Sequence, residues 1–201
     1  MIVMASHGRG VVGRLLHGSV ADKVAREATV PVMVVRSAPA SPGPVGITRL
    51  VLPLDGSPLA EQSIPVALEI SRRLGTPLML VRAVNMAELM PPAVGMGEAI
   101  PFQLYDETEE ELNKAASDYL DAEAAKLRQQ GFTVTTRVLS GPPASAISEA
   151  TLPSDVVVLC SNERSGVVRW ITLAQRENRA MSGRFHRENR CASYCVRGKG
   201  L

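Results

Sequence analysis

IVMASHGRGVVGRLLHGS (residues 2–19) and VVLCSNERSGVVRWITLA (residues 157–174) run in step within one chain. Each starts as an apolar run, continues through Ser6 or Ser161 and Arg9 or Arg164, and crosses a Val-rich patch to Arg14 or Arg169. A short apolar run closed by polar loop residues reads as a buried strand. The second copy starts in the fourth strand of its unit. The first copy therefore reads as the late part of a similar unit whose early part is missing. The chain divides into a strand–loop–helix–strand fragment at 1–36, a linker at 37–48, a full unit at 49–172 and an atypical tail at 173–201.

Strands are expected at 2–5, 32–36, 49–55, 77–84, 132–139 and 155–160. Between them, apolar residues recur at helical spacing: Val20 and Val24 beside a neighbouring stripe of Ala21, Ala25 and Ala28; Ile64, Ala67, Leu68 and Leu74; Leu112, Ala116, Leu120, Ala124 and Leu127. Ser57-Pro58 offers an N-cap and a first-turn proline, while Gly75 and Gly131 stop helices. Residues 85–105, rich in Met, Pro and Gly, read as a loop. The five carboxylates from Asp106 to Glu111 read as a solvated helix start favoured by the dipole. A short helix runs through Ile147 and Ala150. Pro53 inside a strand is an objection, because proline gives no donor to a ladder. Alternating strands and helices predict an α/β fold, a doubly wound parallel sheet covered on both faces, with ligands at the carboxyl ends of its strands.

The glycines of the first copy fit three patterns. Gly8-x-Gly10-x-x-Gly13 matches the dinucleotide fingerprint, and Arg36 could serve as an NADP-type residue. That fingerprint follows the first strand of its unit, and here the strand is the fourth. The P-loop reading fails on chemistry, since Arg14 replaces the lysine and Leu15 the hydroxyl that holds magnesium. The third pattern is Ala5-x-x-Gly8-x9-Gly18-Ser19.

This third pattern resembles the nucleotide-phosphate motif of the universal stress protein family, G-x2-G-x9-G-(S/T). The second unit is similar to the same family from its start, through Pro53-x-Asp55-Gly56-Ser57, the LVRAV strand, Gly141-Pro142-Pro143 and Ser154-Asp155-Val-Val-Val. The resemblance covers nearly all of residues 1–170, and the family commonly carries proline at the place of Pro53. It implies a five-stranded parallel sheet of order 3-2-1-4-5, of the adenine nucleotide alpha hydrolase-like type, preceded here by a partial copy. It also implies a cytoplasmic regulatory module of the stress response that binds ATP or a related adenine nucleotide, with or without magnesium, and performs at most slow ATP hydrolysis. Tandem members pair their domains through the last strands, so a homodimer or pseudo-dimer is implied. The implied nucleotide-binding residues are Pro53, Asp55 and Ala83 on the base and ribose side, and Gly8, Gly18 and Ser19 on the phosphate side. A helix N-terminus at Gly18-Ser19 suits an anion. Two other readings remain: a degenerate member acting only through protein contacts, and, more distantly, an NAD(P)-binding oxidoreductase fragment.

The sequence departs from the family pattern in three places. Ala5 replaces the leading glycine. Glu163 and Leu173 stand where Gly8 and Gly18 stand in the first copy, and a carboxylate facing phosphates is repulsive. The tail holds seven Lys/Arg and two Glu, against fifteen and eighteen acidic residues elsewhere, and repeats RENR at 176–179 and 187–190. It shows no apolar stripe and reads as a poor core element, from a reading-frame error or, less favoured, a basic extension that meets an acidic partner or RNA. One repair is that residues 1–36 supply the second unit with the fourth and fifth strands and bring Gly8, Gly18 and Ser19 beside Asp55.

Composition closes other classes. The chain has 201 residues, 45% of them hydrophobic, 3% aromatic, with a net charge of +2. Few aromatics argue against single-stranded nucleic acid, and the small charge against nucleic acid or membrane as main partner. No run has the length of a membrane span, and the N-terminus lacks a signal-peptide pattern. His7 reads as a loop hydrogen-bonder, and Cys160 as a small buried residue. His186, Cys191 and Cys195 lack a fourth zinc ligand. No nucleophile elbow or paired carboxylate points to catalysis.

Overall fold

Alternate residues of the central strands enter two separate cores. The computed structural model describes residues 1–6, 24, 28–36, 46–86, 102–152, 154–160 and 192–196. Its elements are β1 (Ile2–Ser6), β2 (Val32–Arg36), β3 (Arg49–Pro53), α1 (Pro58–Glu61), α2 (Ile64–Leu74), β4 (Leu78–Val84), α3 (Phe102–Gln129), β5 (Val134–Ser140), α4 (Pro143–Ala150), β6 (Asp155–Cys160) and β7 (Ala192–Val196). Leu50, Leu52, Leu78, Leu80, Val156 and Val158 face one way, onto Ala60 of α1, Ala67 and Leu68 of α2, and Leu120, Ala124 and Leu127 of α3. Val51, Met79, Val81, Val157 and Leu159 face the other way, onto Ala146, Ile147 and Ala150 of α4. Burial on both faces explains why these strands read as unbroken apolar runs.

Local signals set the boundaries. Ser57 caps α1, its Oγ accepting the Ala60 N–H at 3.1 Å. Gly75 ends α2 in the left-handed region with φ 65°. The base of the sheet is fixed by an ion pair between buried Asp155 and half-buried Arg49. Asp155, 1% exposed, accepts from Arg49 Nε at 3.2 Å and Nη2 at 2.5 Å, and from the Leu152 N–H at 2.8 Å.

The strand order is β1-β2-β7-β6-β3-β4-β5. All neighbours are parallel except β2 and β7, which are antiparallel. The parallel α/β expectation thus holds on each side of one antiparallel seam. Two expectations are corrected. Residues 102–105 belong to α3 rather than to a loop. The tail supplies β7, paired on both sides, although it carries no strand signal of the expected kind. Of the helix expected at 20–28, the described part shows the Ala28 N–H bonded to the Val24 carbonyl at 2.9 Å.

Candidate functional site

The crevice follows from where two parallel strands stop pairing. β3 pairs with β6 only through Arg49–Val51 and Asp155–Val157. Beyond that level, β3 continues along β4 through Pro53, and β6 continues along β7 through Cys160. The two strands part toward their carboxyl ends, at the place where successive connections leave in opposite directions. Such switch points are where open α/β sheets bind ligands.

Pro53 fits this place for a physical reason. The Leu50 and Leu54 amides donate toward β4, to the Pro77 and Val81 carbonyls at 3.0 and 2.8 Å. By alternation the Pro53 nitrogen faces β6, where pairing has already ended at Val51. Pro53 is the next nitrogen after Val51 to face β6, so its missing donor falls where the β3–β6 pairing ends and costs no bond to β4, which answers the objection raised by the sequence.

Asp55 follows at the exposed lip. Its Oδ1 accepts the Ser57 N–H at 2.8 Å, and Oδ2 accepts no hydrogen bond among the described residues. Gly56 between them has φ 87°, a conformation that side-chain-bearing residues rarely adopt. Ala83 lies on the neighbouring strand opposite Leu139, and its side chain packs against the α4-side core. Val84, next along, accepts the Gly141 N–H at 2.9 Å, so Gly141 closes the same end of the sheet over β5. The structure thus brings Pro53, Asp55 and Ala83 to one end of adjacent strands.

Three further residues at this end were not marked by the sequence reading. Arg82 sits 5.3 Å over the Tyr119 ring centroid, and the Tyr119 hydroxyl donates to Glu61 Oε1 at 2.9 Å. Burial, then the hydrogen bond to Glu61, raises the Tyr119 phenol above its usual range. An arginine inside the apolar run LMLVRAV was the visible signal; Tyr119, one position off the helix stripe, gave none.

Gly8, Gly18, Ser19, Glu163 and Leu173 lie outside the described residues. The strand before Gly8 is described, and it overturns the proposed repair. Across the sheet Met4 stands level with Val34, Ser193, Val157 and Val51. β1 runs opposite to β3, so Ser6 and Asp55 lie toward opposite strand ends of the sheet. At about 3.3 Å per residue and about 4.8 Å per strand, they are roughly 28 Å apart. The slot beside β3 belongs to β6, and residues 1–36 do not fill it.

Among the described residues no group of three or more His, Cys, Asp or Glu could hold a metal ion. No described helix is long and apolar enough to cross a membrane.

The universal stress protein family model matches residues 1–36 and 46–173. Universal stress protein Rv2005c of Mycobacterium tuberculosis is 29% identical over 168 residues, 83% of this chain and 53% of its own length. Rv1996 of the same species is 28% identical over 167 residues, 83% of this chain and 50% of its own. The chain therefore spans about half the length of the curated relatives it matches. A universal stress protein structure from Archaeoglobus fulgidus aligns with TM-score 0.54 at 16% identity, over 98% of this chain and 60% of that one. The structure of hypothetical protein MJ0577 aligns with TM-score 0.54 at 16% identity, over 78% of this chain and 100% of that one. These likenesses support the fold, and the family match covers most of the sequence: the chain belongs to the universal stress protein family.

Proposed function

We propose that the chain is a regulatory module that binds ATP or a related adenine nucleotide in the crevice where β3 and β6 part. The parting of these strands beyond Val51 and Val157 is the observation that carries the reading. Asp55 offers Oδ2 to ribose hydroxyls, and Pro53 and Ala83 border the base. Any magnesium bound there is held mainly by the phosphates, as this ion prefers when carboxylates are few. The role proposed is sensing, with Asp55 assigned to ribose binding. Titration of the chain with ATP and, separately, GTP tests this. Saturable heat with ATP and little with GTP is expected; no heat with either refutes the reading.

We assign residues 1–36 to a first unit, joined by 37–48 to a second that runs from 49 to β7. The registers support two copies of one unit. Matching Ile2 to Val157 through their strand partners matches Val32 to Ser193, Met33 to Tyr194 and Val34 to Cys195. The antiparallel seam then joins Val32 to Cys195, Met33 to Tyr194 and Val34 to Ser193, each flanking pair the image of the other. That is the pattern of an isologous contact. Gly8, Gly18 and Ser19 are then assigned, on the family resemblance, to the phosphate loop of the first unit.

The same seam favours a second reading, a member that works through pairing alone. ATP binding separates the two.

A further inference from the structure

The turn that carries Asp55 is enclosed by a ring of contacts drawn from three elements. A Cβ placed on Gly56 would stand 3.4 Å from Arg82 Nη1, 3.8 Å from Cζ and 3.9 Å from Nη2. The guanidinium end of Arg82 thus lies directly against the bare backbone of the turn. Its other neighbour is the Tyr119 ring, with 5.3 Å to the centroid. Tyr119 reaches on to Glu61 at 2.9 Å, and Glu61 closes α1, the short helix that starts at the same turn. Inside the ring, Asp55 and Ser57 take up the local donors: Ser57 N–H to Asp55 Oδ1, and Ala60 N–H to Ser57 Oγ.

We infer that Arg82 is a positioning residue for the nucleotide site: seated between Gly56 and Tyr119, it fixes the Asp55–Ser57 turn and so aims the Asp55 carboxylate. The chemistry suits the task. A planar guanidinium lies flat on an aromatic ring and under a backbone, which an ammonium cannot do. Gly56 supplies the φ of 87° that the turn needs, and its backbone lies within van der Waals reach of the guanidinium. Even-numbered residues of β4 face α3, so Arg82 lies across the sheet from Ala83, and it acts through the turn rather than by touching the base.

This inference rests on the nucleotide reading, and its test keeps the two apart. ATP affinity is measured for the full chain, Arg82→Gln, Asp55→Ala and the double variant, with Tyr119→Phe beside them. Arg82→Gln is expected to weaken binding about tenfold alone and hardly at all when Asp55 is already Ala, the non-additivity of a shared network. Tyr119→Phe is expected to weaken binding in the same direction. Unchanged affinity in Arg82→Gln, or an equal loss with and without Asp55, overturns the inference. In the ligand-free chain, amide exchange of Ser57 is expected to quicken in both Arg82→Gln and Tyr119→Phe; no change overturns the inference independently. If the parent binds no nucleotide while Ser57 exchange quickens, the nucleotide reading fails and the hold on the turn stands.

Discussion

Val51 is the last residue of β3 to pair with β6, and its partner is Val157. Both side chains belong to the α4-side core, so the split starts from a buried, fixed point rather than from a fraying edge. Everything proposed for the site follows from it. Pro53 sits where the β3–β6 ladder ends, and Asp55 follows just past the end of β3, exposed.

The Arg49–Asp155 pair holds the other end of these two strands together. Asp155→Ala removes the carboxylate that accepts from Arg49 and from the Leu152 N–H and, with Arg49 part-exposed, is expected to lower stability by about 2–3 kcal/mol. Chemical denaturation monitored by circular dichroism reads this directly. Replacing both residues by apolar ones of similar size is expected to cost less than the single change.

Gly56→Ala should be unfavourable because of the φ of 87°, while the new methyl group meets the Arg82 guanidinium at an ordinary contact distance of 3.4 Å. A loss of about 1–2 kcal/mol is expected. Gly46→Ala, with nothing near its Cβ, serves as the control. Urea midpoints of the two variants make the comparison.

Tyr119 should ionise above the usual phenol range. Its folded value is raised from the usual 10.0, so the folded state keeps a proton that the unfolded state releases. The stability this contributes is whole below pH 10 and is lost as pH rises toward the folded value. Absorbance at alkaline pH is expected to show a late tyrosine step that disappears in Tyr119→Phe, along with part of the fall in stability.

β7 has a neighbour on each side, so proline within it should be damaging. Ser193 pairs with both Val34 and Val157. Ser193→Pro is expected to lower stability by about 3 kcal/mol, the scale of a proline that breaks a ladder. Thermal unfolding of the variant matching the parent would show that the tail takes no part in the sheet.

Much of this fold was readable where one face or both faces are buried. β6 was legible at 155–160 because five successive apolar residues follow Asp155, and α2 because Gly75 marks its end. β7 was hidden: ASYCV is short, mixed in polarity and surrounded by arginines, and it becomes a strand through its two neighbours. The start of α3 was missed because its first residues, FQLY, carry no acidic signal, and the carboxylates that drew attention begin four residues later. At the site, Pro53 and Asp55 were marked through family resemblance. The harmlessness of Pro53 depends on which neighbour its nitrogen faces, and that is a property of the sheet. Arg82 and Tyr119 meet across 37 positions of sequence, beyond the reach of any local pattern.

The most direct test compares ATP affinity of the full chain with that of Asp55→Ala by isothermal titration. The account predicts saturable binding that weakens about tenfold or more in the variant, the effect of removing a charged hydrogen-bond acceptor. Equal affinity in the two proteins would contradict it.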